Sequence, residues 1–192
     1  MNDIEKAVEI LNGGGIIIYP TDTAFGIGCR IDREDAVERL FDIRKRPITQ
    51  AVPVLFDSVD AVKNYVEEIP DGVKEELMDK YWPGALTIIL PAIKDRVPEY
   101  VRGGGKNIGV RIPDNETMLS IIKNTGVGIL GPSANFSGGK TPYTLEDLDP
   151  ELVKLVDFVV KGECKNKASS TVIDCSEKPW HIIREGAVKL NF

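Results

Sequence analysis

The apolar residues of this chain fall in many short runs and in no long one. IIIYP at 16–20, AVPVLF at 51–56, WPGALTIIL at 82–90, NIGVRIP at 107–113, VGIL at 127–130, FVVK at 158–161, STVIDC at 170–175 and WHIIRE at 180–185 are punctuated by Gly, Pro or charged residues. Runs of this length read as buried strands, and they fall far short of the roughly 20 residues of a membrane-spanning helix. Between them lie helical patterns. Residues 3–12 carry Ile4, Ala7, Val8 and Leu11 at helical spacing behind an Asp3 cap, and Gly13–Gly15 stop them. Asp32 opens a helix with Ala36, Val37, Leu40 and Phe41 inside, which must end near Arg46 because Pro47 follows. Further helices are predicted from Ser58, from Asp71 through Tyr81, over 116–124 and over 145–155. The alternation predicts an α/β or mixed α+β sheet domain, and no repeat, low-complexity stretch or charged linker divides it, so one domain is expected over 1–192.

Charge narrows the function classes. The chain carries 24 basic and 30 acidic residues, a net charge of -6, which argues against a protein that blankets a phosphate backbone and leaves room only for a local basic cleft. Cys29, Cys164 and Cys175 are odd in number without metal-ligand spacing, and the charged amphipathic start is unlike a signal peptide. A cytoplasmic protein with reduced thiols and no membrane segment is expected.

Polar clusters break the apolar logic at strand ends: PTDTAFG at 20–26, RKRP at 44–47, SAN at 133–135 and SST at 169–171. Each, taken alone, reads as local backbone capping. In RKRP, the helix dipole at about 0.3–1 kcal/mol per cation accounts for one or two arginines. Arg44 and Arg46 alternatively project toward a polyanion, since guanidinium groups grip phosphate bidentately. Arg111 stands in an apolar strand, where a charge requires either a solvated sheet face or an anionic partner, and Arg184 raises the same question. Together the four arginines and the Ser/Thr/Asn loops suggest an oxyanion site built from strand ends. The phosphate loop GxxxxGK[ST] and a strand-GxGxxG-helix unit are both missing, which disfavours P-loop and Rossmann chemistry. His181, the sole histidine, reads as packing or surface, so multi-histidine metal sites are excluded.

YPTDTAFGIGC, the helix ending RKRP, WPGALTIIL, VRIP, GPSAN, SSTVID and REGA, in this order, resemble the YrdC-like threonylcarbamoyl-AMP synthase family in its short form. The resemblance implies a YrdC-like α/β (α+β) domain, a twisted mixed β-sheet with helices around a cationic groove. It implies formation of L-threonylcarbamoyladenylate from L-threonine, bicarbonate and ATP, with Mg2+ accompanying ATP and pyrophosphate released. A threonylcarbamoyl-transferase partner enzyme would then modify tRNA. By the same resemblance Arg44, Arg46, Ser133 and Asn135 hold the nucleotide phosphates, Arg184, Thr141 and Asn107 contribute further ATP contacts, and Thr21, Arg111 and Ser170 receive threonine. No protein metal ligand is implied.

The sequence departs from the family pattern in three places. Arg44 replaces the lysine of Lys-x-Arg, leaving Arg44 or Lys45 to fill that role. Leu55 stands where some members have a histidine, and REGA replaces Arg-Pro-Gly. Two other readings stay open at this stage: a translation-associated module binding tRNA or double-stranded RNA, and a carbamoyl-transfer domain of the hydrogenase-maturation type.

Overall fold

The run at 16–19 is apolar throughout because the strand it forms is buried on both faces. The computed structural model describes residues 2–190, and in it the strands are β1 (Ile17–Tyr19), β2 (Gly26–Gly28), β3 (Val54–Leu55), β4 (Leu86–Pro91), β5 (Asn107–Arg111), β6 (Ile129–Leu130), β7 (Phe158–Val159), β8 (Thr171–Asp174) and β9 (His181–Arg184). Ile16 and Ile18 enter one core cluster while Ile17 and Tyr19 enter another, the two-residue alternation of a pleated strand. β3 and β6 divide their side chains the same way: Val54 and Leu130 go to the larger cluster, Leu55 and Ile129 to the smaller.

Two helices cover the smaller cluster, α1 (Asp3–Asn12) and α6 (Glu116–Thr125), with Ala7, Leu11, Met118, Ile121 and Ile122 facing in. The larger cluster takes Ala36, Val37, Leu40 and Phe41 from α2 (Glu34–Arg44), the face read from its spacing. Among the described residues the strands form two mixed sheets, one of order β2-β1-β7 and one of order β6-β3-β5-β4-β8-β9. Isolated bridges Gly26 to Ser133 and Arg30 to Ile129 join them. At Gly28 the sheets approach so closely that a Cβ would lie 1.9 Å from the Leu130 carbonyl oxygen, which only glycine permits.

Several expectations change. α1 is capped by Asn2, not Asp3: its Oδ1 accepts from Glu5 N at 2.9 Å while Glu5 Oε2 accepts from Asn2 N at 2.9 Å, the reciprocal pair of a capping box. Asp32 lies before α2, which begins at Glu34 with no side-chain cap, and its carboxylate pairs with Arg30 at 2.8 Å. The segment predicted as a helix from Asp71 opens as a wide π turn, Lys74–Met78, before α4 (Asp79–Tyr81). The helix predicted over 145–155 is broken in two, a 3-10 turn Leu145–Asp147 and α7 (Pro150–Val153), because Pro150 has no N–H to continue it and Asp149 caps a fresh start. β2 and the short α5 (Glu99–Arg102) were not foreseen, whereas α3 (Val59–Lys63) starts at its Ser58 cap as read. Among the described residues no helix is long and apolar enough to cross a membrane. The three thiols are free and buried, and burial pushes Cys29 and Cys175 up to about 12.

Candidate active site

One rank of residues runs across the six-stranded sheet. Leu55 pairs with Arg111, Thr87 with Val172, and Val172 with Arg184. Leu55, Thr87, Arg111 and Arg184 of this rank, with Ser170, form one wall of a cavity of about 160 Å³. The rest of the lining comes mainly from Thr21 and Thr23–Gly26 in the connection between β1 and β2 and the start of β2, from Gly131–Ser133 after β6, and from Arg44 and Arg46 at the end of α2. Backbone bonds tie these segments together: Ala134 N donates to Phe25 O at 2.8 Å, Ile27 N to Pro132 O at 3.0 Å, and Phe25 N to Pro142 O at 3.0 Å.

Arg111 is only 6% exposed, and its partner is Asp22, 1% exposed. Its Nη2 donates to Asp22 Oδ1, Nη1 to Thr23 Oγ1 at 2.9 Å and Nε to Gly84 O at 2.9 Å. Burial draws this guanidinium down and Asp22 draws it back up. The strand charge therefore has an anionic partner, not a solvated face. Thr21 closes the same connection: its Oγ1 donates to Ala24 O at 2.7 Å and accepts from Thr23 N and Ala24 N at 3.1 and 3.2 Å.

Arg44 and Arg46 part company at Lys45. Lys45 takes a left-handed conformation, φ 51°, at the end of α2, which turns its ammonium onto the Phe136 ring at 5.2 Å, outside the cavity lining. The two arginines flanking it both reach the cavity. Arg44 is 2% exposed; Nε donates to Asn135 O at 3.1 Å and its buried Nη1 has no hydrogen-bond partner. Burial, with Arg46 beside it, pushes its guanidinium down to about 10. Arg46 is half-buried and braces the following turn, donating to Gln50 O at 3.0 Å and Ala51 O at 2.7 Å.

Of the residues expected at the site, Thr21, Arg44, Arg46, Arg111, Ser133, Thr141, Ser170 and Arg184 line this cavity. Asn135 and Asn107 do not. Asn135 sits behind Ser133, whose hydroxyl donates to its Oδ1 at 2.5 Å, while its Nδ2 is spent on Phe136 O and Gly139 O. Asn107 stands four residues back along β5, about 13 Å at the usual strand rise. Sequence reasoning assigned no site role to Asp22, Thr23 or Thr87, although Thr87 carried the signal that singled out Arg111, a polar residue inside an apolar strand. Its Oγ1 shares a hydrogen bond of 2.9 Å with Ser170. His181 is exposed and apart from the cavity.

Among the described residues Arg44, Arg46 and Arg184 make no ion pair, so three uncompensated guanidinium groups converge with hydroxyls of Thr21, Thr87, Ser133 and Ser170. Fold and cavity define an α/β protein built around an arginine- and hydroxyl-lined cleft. Residues 9–186 match the Sua5/YciO/YrdC family model, described as telomere recombination, and the chain belongs to that family. It is similar to the threonylcarbamoyl-AMP synthase of Xanthomonas axonopodis, 34% identical over 172 residues that cover 89% of this chain and 91% of the relative. The Bacillus subtilis threonylcarbamoyl-AMP synthase is 30% identical over 189 residues, 96% of this chain and 54% of the relative. The solved Sua5 of Pyrococcus abyssi, complexed with L-threonine, shares the fold at a TM-score of 0.90 and 30% identity, covering 97% of this chain and 55% of that one. The chain thus spans about half the length of the Bacillus and Pyrococcus relatives and nearly all of the Xanthomonas one.

Proposed function

We propose that the chain, acting as one YrdC-like unit, is a threonylcarbamoyl-AMP synthase: it joins L-threonine, bicarbonate and ATP into L-threonylcarbamoyladenylate and releases pyrophosphate. The observation that carries this reading is the convergence of four arginines on one hydroxyl-lined cavity in a chain of net charge -6. The names borne by its relatives agree with it.

The cavity suits the chemistry. The threonine amine bonds to the carbon of bicarbonate while a C–O bond breaks, and the displaced oxygen leaves as water with the amine proton, giving a carbamate. A carbamate oxygen then attacks the ATP α-phosphorus in line, and the bond to pyrophosphate breaks. Such a step asks the protein to position two anions and offset charge, more than to move protons. Among the described residues the polar lining supplies arginines and hydroxyls and no histidine, carboxylate or thiol. Each nitrogen of Arg111 already donates once, to Gly84 O, Thr23 Oγ1 and Asp22 Oδ1, so the second N–H of Nη1 and of Nη2 would be left for a substrate carboxylate, with Thr21 and Ser170 beside it. Arg44, Arg46, Ser133, Thr141 and Arg184 would take the triphosphate, and Asn135 would act through Ser133 and Arg44. At about 160 Å³ the cavity is smaller than the roughly 300–1,000 Å³ of a drug-sized pocket, so an amino acid would sit inside and the nucleotide along the mouth. Only a nucleotide reaching back along β5 would meet Asn107.

Among the described residues no carboxylate lines the cavity, so a magnesium ion would arrive on the phosphate oxygens of ATP as part of the substrate. The product would pass to a threonylcarbamoyl-transferase that modifies tRNA. The test is pyrophosphate release by the purified chain with ATP, bicarbonate and magnesium, with and without threonine. Threonine-dependent release is expected; its absence refutes the assignment.

A further inference from the structure

Behind Arg184 lies a buried hydroxyl whose partners are all in one place. Thr171, first residue of β8, is 1% exposed and does not line the cavity. Its Oγ1 donates to Val188 O at 2.5 Å and accepts from Gly186 N at 3.0 Å and Val188 N at 3.2 Å. A buried threonine ordinarily bonds to backbone within its own turn; here every partner lies 15 or 17 residues downstream, in the tail that follows Arg184. The tail is held from a second side by Ala187 N donating to Ser169 O at 2.9 Å. At Gly186 the contact is so close that a Cβ would fall 2.3 Å from Ser169 O and 2.5 Å from the Ser170 carbonyl carbon.

β9, which carries Arg184, needs such an anchor. It is an edge strand, paired only with β8, all four of its residues are exposed, and its ladder is irregular between Val172 and Ile173. Arg184 itself donates through Nε and Nη2 to Ser170 O at 3.1 and 2.8 Å, and through Nη2 to Ser170 Oγ at 3.1 Å. Ser170 has supports that do not involve the tail: the Thr87 hydroxyl at 2.9 Å, and the neighbouring Thr171 N donating to Ala85 O at 3.0 Å.

We propose that Thr171 is a positioning residue: its hydroxyl clamps Gly186–Val188 to β8 and so holds the Arg184 guanidinium over Ser170 at the cavity. The proposal rests on the assignment of Arg184 to ATP made above. Loss of the hydroxyl releases the arginine and leaves Ser170 in place, so nucleotide affinity falls while threonine recognition stays.

The experiment compares wild type, Thr171→Val, Thr171→Ser and Arg184→Ala, with ATP binding measured by calorimetry and both KM values by pyrophosphate release. Thr171→Val should raise the ATP Kd and KM about tenfold, as expected for a charged group held slightly out of place, with the threonine KM within about twofold of wild type. Thr171→Ser should restore wild-type values, and Thr171→Val should add nothing in an Arg184→Ala background. Equal losses for both substrates, or additive losses in the double variant, overturn the proposal. Should Thr171→Val not fold by circular dichroism, Val188→Pro removes one donor to the hydroxyl at a half-buried tail position and carries the same expectation. A wild type that binds no ATP overturns the cavity assignment and this proposal together; a wild type that binds ATP no better than Thr171→Val overturns this proposal alone.

Discussion

Removing Asp22 strands a buried cation. In Asp22→Ala, Arg111 keeps two of its three observed acceptors, Gly84 O and Thr23 Oγ1, and loses its only opposite charge at 6% exposure. Breaking a buried pair by deleting one partner costs about 3–5 kcal/mol, and the two surviving hydrogen bonds place this case near the lower end, about 3 kcal/mol. For a chain of this size that corresponds to a fall in Tm of roughly 6–12 °C. The assay is thermal unfolding followed by circular dichroism at neutral pH, with Asp60→Ala, whose partner Lys63 is exposed, as a surface control that should barely move. The decisive arm is the double variant Asp22→Ala with Arg111→Met. Because an apolar replacement of both partners removes the stranded charge, it should be more stable than Asp22→Ala alone, with a coupling of about 2 kcal/mol. A single-variant shift no larger than the control, or strict additivity in the double variant, would refute the claim that Asp22 exists to hold Arg111.

Gly186→Ala pushes a methyl group into the Ser169 carbonyl oxygen, so it should lower stability by about 1–3 kcal/mol, read as a drop in Tm. Arg46→Ala should weaken ATP binding at a stability cost of only about 1 kcal/mol, because its bonds to Gln50 O and Ala51 O brace a half-exposed turn; calorimetry beside a melting curve separates the two effects. Asp157 accepts from Arg39 and from Ile16 N, which hold its carboxyl below the usual carboxylate range. Its stabilising contribution is present above the unfolded carboxylate value and is lost as pH falls through the folded one, so the Tm gap between wild type and Asp157→Asn should close on acidification.

Residues announced themselves in the sequence when they broke a local pattern. Arg111 did so by standing between Val110 and Ile112, and Arg44 and Arg46 by crowding the end of a helix. What stayed hidden depended on contacts far along the chain. Asp22 pairs with Arg111 across 89 positions, and no periodicity within PTDT announces that. Lys45 could stand for a phosphate ligand on paper because helical spacing does not foretell its left-handed turn toward Phe136. Pro150 was legible: an Asp-Pro pair inside a helical pattern is a start signal, and the uninterrupted 145–155 helix overrode it. Asn135 reads in the sequence as facing phosphate beside Ser133, and its position behind that hydroxyl follows from loop geometry that the string GPSAN does not encode.

The cavity draws its first wall residue, Thr21, from near the start of the chain and its last, Arg184, from near the end. During synthesis at about 5–20 residues per second, Thr21 is added to the chain some 8–30 s before Arg184. The cleft is therefore incomplete until Arg184 has been added. A nascent or proteolytically shortened chain that lacks β9 lacks Arg184 and so only part of the cleft is formed, and ligand binding would report that synthesis has passed β9.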